Sequence, residues 1–155
     1  MGFESNFNMN DIIKNHEAFL NNVINDIAEN LELTLRDLVN SARSGDYASD
    51  EDHKYKDRSG NLRQSVGFVI YHNGQMIRTS FGSGGNEGDN TGLSLAQAAA
   101  TEIEVDGFVC VIVAGMHYAR YVENKGFDVI TGAFLHFDEF LKNIFSDSGI
   151  NINPL

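Results

Sequence analysis

The residue types that do chemistry are all present in this sequence, but their spacing builds no familiar reaction centre. Five histidines stand at positions 16, 53, 72, 117 and 136, and none pairs at H-x-x-x-H or another short metal-ligand interval. Ser59, Ser65, Ser80 and Ser83 are nucleophiles by type, yet G-x-S-x-G is absent, and Phe81-Gly82-Ser83-Gly84 comes nearest without matching. Asp50-Glu51-Asp52 is a dense acidic run, but a calcium loop spaces its ligands along the chain, so a solvated loop is the simpler reading. Residues 82–92 hold Gly82, Gly84, Gly85, Gly88 and Gly92 between a strand and a helix, where a phosphate cradle could form. The Lys-Ser/Thr of a P-loop is missing, G-x-G-x-x-G does not occur in register, and Glu87 and Asp89 would repel phosphate. The expectation is a flexible loop at 82–92 and a protein that is not an enzyme, with no catalytic residues, no metal and no cofactor.

Composition narrows the partners. Acids outnumber bases 22 to 11, a formal net charge of −11, which disfavours nucleic-acid binding and an anionic membrane surface. The single cysteine, Cys110, excludes an internal disulfide, and its apolar neighbours from Phe108 to Val113 make it a core thiol. The first twenty residues are polar and lack a basic region followed by an apolar run, and no apolar segment approaches the ~18 residues of a membrane span. These features lead us to expect a soluble protein of a reducing cytoplasm. A length of 155 residues and an apolar fraction of 42% fit one domain, 1–155, with its own core.

Periodicity supplies the elements. Ile12, Ile13, Phe19, Leu20, Val23, Ile24, Ile27, Leu31, Leu35, Leu38 and Val39 recur at steps of three and four, predicting a helix from about Asn10 to Arg43 that ends at Ser44-Gly45. At 1.5 Å per residue such a helix is about 50 Å long, more than a small core can cover. Either it breaks near Asn30, or part of its stripe packs on another subunit, which is the reading we favour. Residues 1–8 and 146–155 are expected to be loose, and the charged stretch 45–58 to be a solvated loop.

Asn73-Gly74 predicts a hairpin of strands 66–72 and 75–81, with residue 70 facing 77 and 68 facing 79, and with Val66, Phe68, Ile70, Ile77, Thr79 and Phe81 on the core face. Ser94 and Gln97 have capping-box spacing, predicting a helix over about 93–104. Phe108–Ala114 is an unbroken apolar run, expected to be a central strand buried on both faces. A short turn or helix over 118–123 follows. A last helix, from about Thr131 to Phe145, is expected to turn Phe134, Phe137, Leu141, Ile144 and Phe145 inward. The fold class is therefore α+β, with long N-terminal and C-terminal helices on a small, mainly antiparallel sheet.

Between the first helix and the hairpin lies Tyr55-Lys56-Asp57-Arg58-Ser59-Gly60-Asn61-Leu62-Arg63-Gln64-Ser65-Val66-Gly67. Ser59 and Asn61 are types that cap a helical turn, Gly60 permits a tight bend, and Leu62 is placed to pack under the sheet. Asp57 to Ser65 resembles the D-x-[ST]-G-x-L-R-x-S signature of tailed-bacteriophage tail-completion or head–tail joining proteins. His117-Tyr118-Ala119-Arg120-Tyr121-Val122-Glu123-Asn124-Lys125-Gly126 resembles that family's second signature, Y-A-x-Y-V-E-x-G. The chain differs in carrying an extra residue before Gly126, no proline in 126–132 and a longer stretch over 82–105.

The resemblance implies a virion component that forms a ring between connector and tail tube, present in the host cytoplasm before assembly. Its partners would be further copies of itself and the phage connector and tail proteins, with no membrane and no sequence-specific nucleic acid. A net charge of −11 suits a lumen through which DNA must slide. Arg58, Ser59, Gly60, Asn61, Leu62, Arg63, Ser65, Tyr118, Tyr121, Val122, Glu123 and Gly126 are the motif or interface candidates. Tyr118, Tyr121 and Val122 are expected to anchor the second motif to the core. Arg63 and Glu123 are expected to lie near one another and brace the junction. The alternatives are a small ligand-binding domain or enzyme using the 82–92 loop, and a helix-mediated interaction protein unrelated to phage.

Overall fold

The computed structural model describes residues 8–82, 86–103 and 106–146. Of the stretches expected to be loose, 1–8 and 146–155, all but Asn8 and Ser146 lie outside them, as do Ser83 and the expected end of the third helix at Glu104; Asn8 caps α1 and Ser146 ends α5. The chain is α+β: α1 (Met9–Ser44), a single 3-10 turn (Glu51–His53), α2 (Asn61–Ser65), β1 (Val66–His72), β2 (Gln75–Thr79), α3 (Glu87–Thr101), β3 (Phe108–Ala114), α4 (Ala119–Asn124) and α5 (Thr131–Ser146).

α1 runs unbroken, so the break near Asn30 does not occur. The Asn8 side chain accepts from the Asn10 N–H at its start, and Gly45 ends it in the left-handed conformation at φ 73°. Its C-terminal half is anchored by Leu35, Val39 and Ala42. Its N-terminal half projects: every residue from Met9 to Ile27 except Ile24 is exposed.

The sheet is antiparallel in the order β2-β1-β3. β1 therefore holds the centre, and β3, the expected central strand, lies at an edge. Only Val113 of β3 is buried, the rest being half-buried, and its unbroken apolar run reflects helices on both faces of the sheet. α1 and α5 cover one face, where Val66, Phe68 and Ile70 meet Leu35, Val39, Val129, Ala133 and Phe137. α3 covers the other, where Val69 meets Phe81, Ala96 and Val113. Val66, Phe68, Val69 and Ile70 are all wholly buried, and at ~1.5–3 kcal/mol per side chain this strand is the largest concentration of apolar burial in the fold.

Asn73 (φ 49°) and Gly74 (φ 78°) make the hairpin turn, with both central residues at positive φ. The register differs from the expected one beyond that turn. Tyr71 pairs with Met76 but Ile70 pairs with Arg78, because a bulge between Ile70 and Tyr71 takes in Ile77. The one-residue slip carries Phe81 to the opposite face, beside Val69, where its ring fills the space above Gly67.

α3 starts six residues earlier than the capping-box spacing predicts. Asn86, not Ser94, caps it, accepting from the Asp89 N–H at 2.8 Å. Half of the glycine-rich stretch is thus helical. Gly88, Gly92, Ala96 and Ala100 recur every four residues and are all buried, forming a flat face on the rest of the fold. A Cβ at Gly88 would lie 2.4 Å from the Asn61 carbonyl oxygen, and one at Gly92 would lie 2.4 Å from the Phe81 ring and 2.6 Å from the Ser65 carbonyl oxygen.

On α5, Phe137 is buried and Leu141 packs against the core, but Phe134 is 52% exposed, not inward as the periodicity suggests. The side chains of Ile144 and Phe145 lie outside the described residues. The 45–58 stretch is not uniformly solvated. Tyr55 is buried, and its hydroxyl donates toward the Ala42 and Arg43 carbonyls at 3.3 and 3.4 Å, while Tyr47 stacks on His136.

Candidate functional site: the junction of two signature stretches

Asp57 organises the first stretch. One carboxylate oxygen accepts from the Gly60 N–H at 2.9 Å and the other from the Arg63 N–H at 2.8 Å. The bend that lets one side chain reach both is Gly60, at φ 81°. Ser59 accepts from the Asn61 N–H at a longer 3.3 Å, and Asn61 donates its side-chain amide to Glu87 at 2.6 Å, tying α2 to the first turn of α3. Asp57 was thus missed as the principal cap, because Ser59 and Asn61 are capping types at neighbouring positions. Leu62 is buried in the main core as expected.

Ser65 joins this stretch to the second. Its side chain is fully buried, its hydroxyl donates to the Leu62 carbonyl at 2.8 Å, and the same oxygen accepts from the Met116 N–H at 3.2 Å. Its carbonyl accepts from the Gly115 N–H at 3.0 Å. The chain leaves β3 at this point and enters the second stretch directly. Tyr118 and Val122 pack against the core there, as expected. Tyr121 does not: it is 64% exposed, and the Lys125 ammonium sits 5.3 Å from its ring centroid. Gly126 closes α4 at φ 90°, its N–H bonded to the Glu123 carbonyl.

Arg63 and Glu123 have separate partners rather than each other. The Arg63 guanidinium lies 5.7 Å from the Tyr55 ring centroid. Glu123 turns to the start of α5, accepting from the Thr131 N–H at 2.9 Å and the Ile130 N–H at 3.4 Å. Asp128 adds a second carboxylate there, accepting from the Gly132 N–H at 3.0 Å. Burial raises the Asp128 carboxyl above its ordinary value; Glu123 adds to the rise, while the Gly132 bond and His136 oppose it.

The two stretches share a cleft of about 580 Å³. Tyr55, Leu62, Tyr118, Tyr121, Val122 and Phe127 give it apolar and aromatic walls, and Lys54, Lys56, Arg58 and Lys125 line it, four of the chain's 11 Lys and Arg residues. Of the two acids lining it, Asp57 is engaged by the Gly60 and Arg63 N–H groups. Lys54 pairs with Glu51 at 2.7 Å. The cleft is thus a locally basic, aromatic site on an acidic protein.

Elsewhere, Gly88 and Gly92 face protein rather than solvent, so they are engaged in packing. Burial pushes the Cys110 thiol up to about 12, which leaves it protonated and unreactive at neutral pH. Among the described residues no group of three or more His, Cys, Asp or Glu is placed to hold a metal ion, and no helix is long and apolar enough to cross a membrane. No protein-family model, no curated protein and no solved structure matches the chain.

Proposed function

We propose that this chain is a structural component of a phage or prophage virion, completing the tail or joining head to tail as one member of a ring. One observation carries the reading. The two stretches that resemble the family's signatures, some fifty residues apart, form the walls of one cleft, the first being tied through Ser65 to Gly115 and Met116, the two residues that lead into the second. Signatures that meet in space behave as one unit, and the residues in them cap, pack and form an exposed rim. The projecting half of α1 adds to this, because an uncovered apolar helix face suits a protein completed by assembly.

The test is genetic. In a phage or lysogen carrying the gene, its deletion is expected to leave filled heads and separate tails that do not join, with complementation restoring particles. Electron microscopy with an antibody label should then find the chain at the neck or tail end. Intact infectious particles without the gene would overturn the proposal. They would favour the second reading that the projecting helix supports, an interaction protein unrelated to virions.

A further inference from the structure

Among the described residues, two uncovered surfaces lie at opposite ends of α1. At the N-terminal end is the arm Met9–Ile27, about 28 Å long at 1.5 Å per residue. Ile12, Ile13, Phe19, Leu20, Val23 and Ile27 form one stripe along it, all exposed, Phe19 most of all at 62%. Together with Met9 they leave on the order of 600 Å² of apolar surface uncovered, close to the ~800 Å² that each partner contributes to a stable interface. The stripe runs on into the buried face of the same helix at Leu31 and Leu35, so its pattern continues past the point where the chain's own core ends. The arm carries Asp11, Glu17 and Asp26 against Lys14.

At the other end is the aromatic cleft, fixed to the last turn of α1 by the Tyr55 hydroxyl. Its charge is opposite in sign though small: Lys54, Lys56, Arg58 and Lys125 against Asp52, Asp57 and the Glu51 that pairs with Lys54. An acidic helix with a protruding phenylalanine and a basic cleft walled by tyrosines are complementary in charge and in chemistry. They sit at opposite ends of one rigid helix, so no chain can join its own two surfaces.

We infer that the α1 arm of one copy docks in the Tyr55–Tyr121 cleft of the next, with Phe19 as its anchor and Glu17 toward the Arg58 side of the rim. The contact is heterologous: each copy offers an arm to one neighbour and a cleft to the other. Such a contact propagates until the rotation between copies closes it into a ring. The inference deepens the ring reading and rests on it for that closure. A symmetric pairing of two arms is the competing arrangement, but it would bring together two surfaces of the same net negative charge.

The experiment uses two blocked variants of the full chain, Phe19→Asp in the arm and Tyr121→Asp in the cleft. Both positions are exposed, and circular dichroism and melting should confirm that each variant folds. By sedimentation at high concentration the wild type is expected to form dimers and larger species. Each variant alone is expected to stay monomeric. The mixture should give a one-to-one dimer and nothing larger, because only one arm–cleft pair is intact. If Tyr121→Asp alone still dimerises, the arms pair with each other and the inference is wrong. A wild type monomeric throughout, or a mixture of monomers, overturns it too. Val23→Asp and Arg58→Glu, at exposed positions on the same two surfaces, repeat the pair should either first variant misfold. The virion reading is judged separately by particle assembly: unjoined heads and tails with no arm–cleft dimer sink this contact alone, and the dimer with intact particles sinks the virion role alone.

Discussion

Ser65 and Met116 stand 51 residues apart and are tied by a hydrogen bond from the Met116 N–H to the Ser65 hydroxyl. The same hydroxyl donates to Leu62, and the Ser65 carbonyl takes the Gly115 N–H, so one buried residue joins the end of α2, the start of β1 and the exit from β3. The β1–β3 ladder, which ends at the pair Val66 and Ala114, is thereby carried one step further into the two loops that flank it.

Removing that hydroxyl tests the joint. Ser65→Ala leaves the Met116 N–H without its acceptor in a fully buried setting, which costs about 1–3 kcal/mol. Urea unfolding should show a lowered midpoint with an unchanged slope. A loss below about 0.5 kcal/mol would mean that the Met116 N–H finds another acceptor.

Gly92→Ala sets two effects against each other. Alanine is the better helix former by about 1 kcal/mol. The added methyl, however, would lie 2.6 Å from the Ser65 carbonyl oxygen and 2.4 Å from the Phe81 ring. Overpacking of this kind costs about 1–3 kcal/mol and should win, lowering the melting temperature. Asn90→Ala, at an exposed position of the same helix, should be neutral or slightly stabilising. Equal effects at the two positions would refute close packing at Gly92.

The contrast shows what could be read from the chain alone. The period of α1 and the Asn73-Gly74 turn are local signals, and both predicted their elements. Gly88 and Gly92 misled for the opposite reason: a local reading sees helix breakers, whereas the absent side chains are required by the backbone that approaches from 61–65. Gly67 is likewise no open position on β1, because the Phe81 ring covers it. Phe134 and Tyr121 came out exposed because where a core ends is a tertiary fact that no period encodes. Of the candidate site, both stretches were legible. Their shared cleft and the capping by Asp57 were not, since both depend on where the chain goes after Gly60.

Arg63 and Glu123 provide a test of the corrected geometry. Residues bracing one junction together would show coupled losses on mutation. Here Arg63 rests on Tyr55 and Glu123 caps α5, so they share no partner. Arg63→Ala should cost about 0.5–1 kcal/mol, and Glu123→Ala about 0.5–2 kcal/mol. The double variant should equal the sum within about 0.5 kcal/mol. A larger discrepancy would restore a direct link between them.

Asp128 makes a prediction about pH with a sign opposite to that of most carboxylates. Its native value lies above the ordinary one, chiefly through burial, so the folded protein holds this proton more tightly than the unfolded chain does. Between the ordinary value near 4 and the raised native value, stability attributable to this group falls as pH rises; above both it stays at its lower level. The amide of Asp128→Asn is neutral at every pH, and its oxygen can still accept from the Gly132 N–H. The difference in unfolding free energy, variant minus wild type, should therefore climb from about pH 3 upward and level off once the pH passes the raised native value. Denaturant titrations across that range measure it directly. A difference that falls with pH would mean that the charged carboxylate is the better cap, the positive end of the α5 dipole outweighing the cost of burial at that helix start.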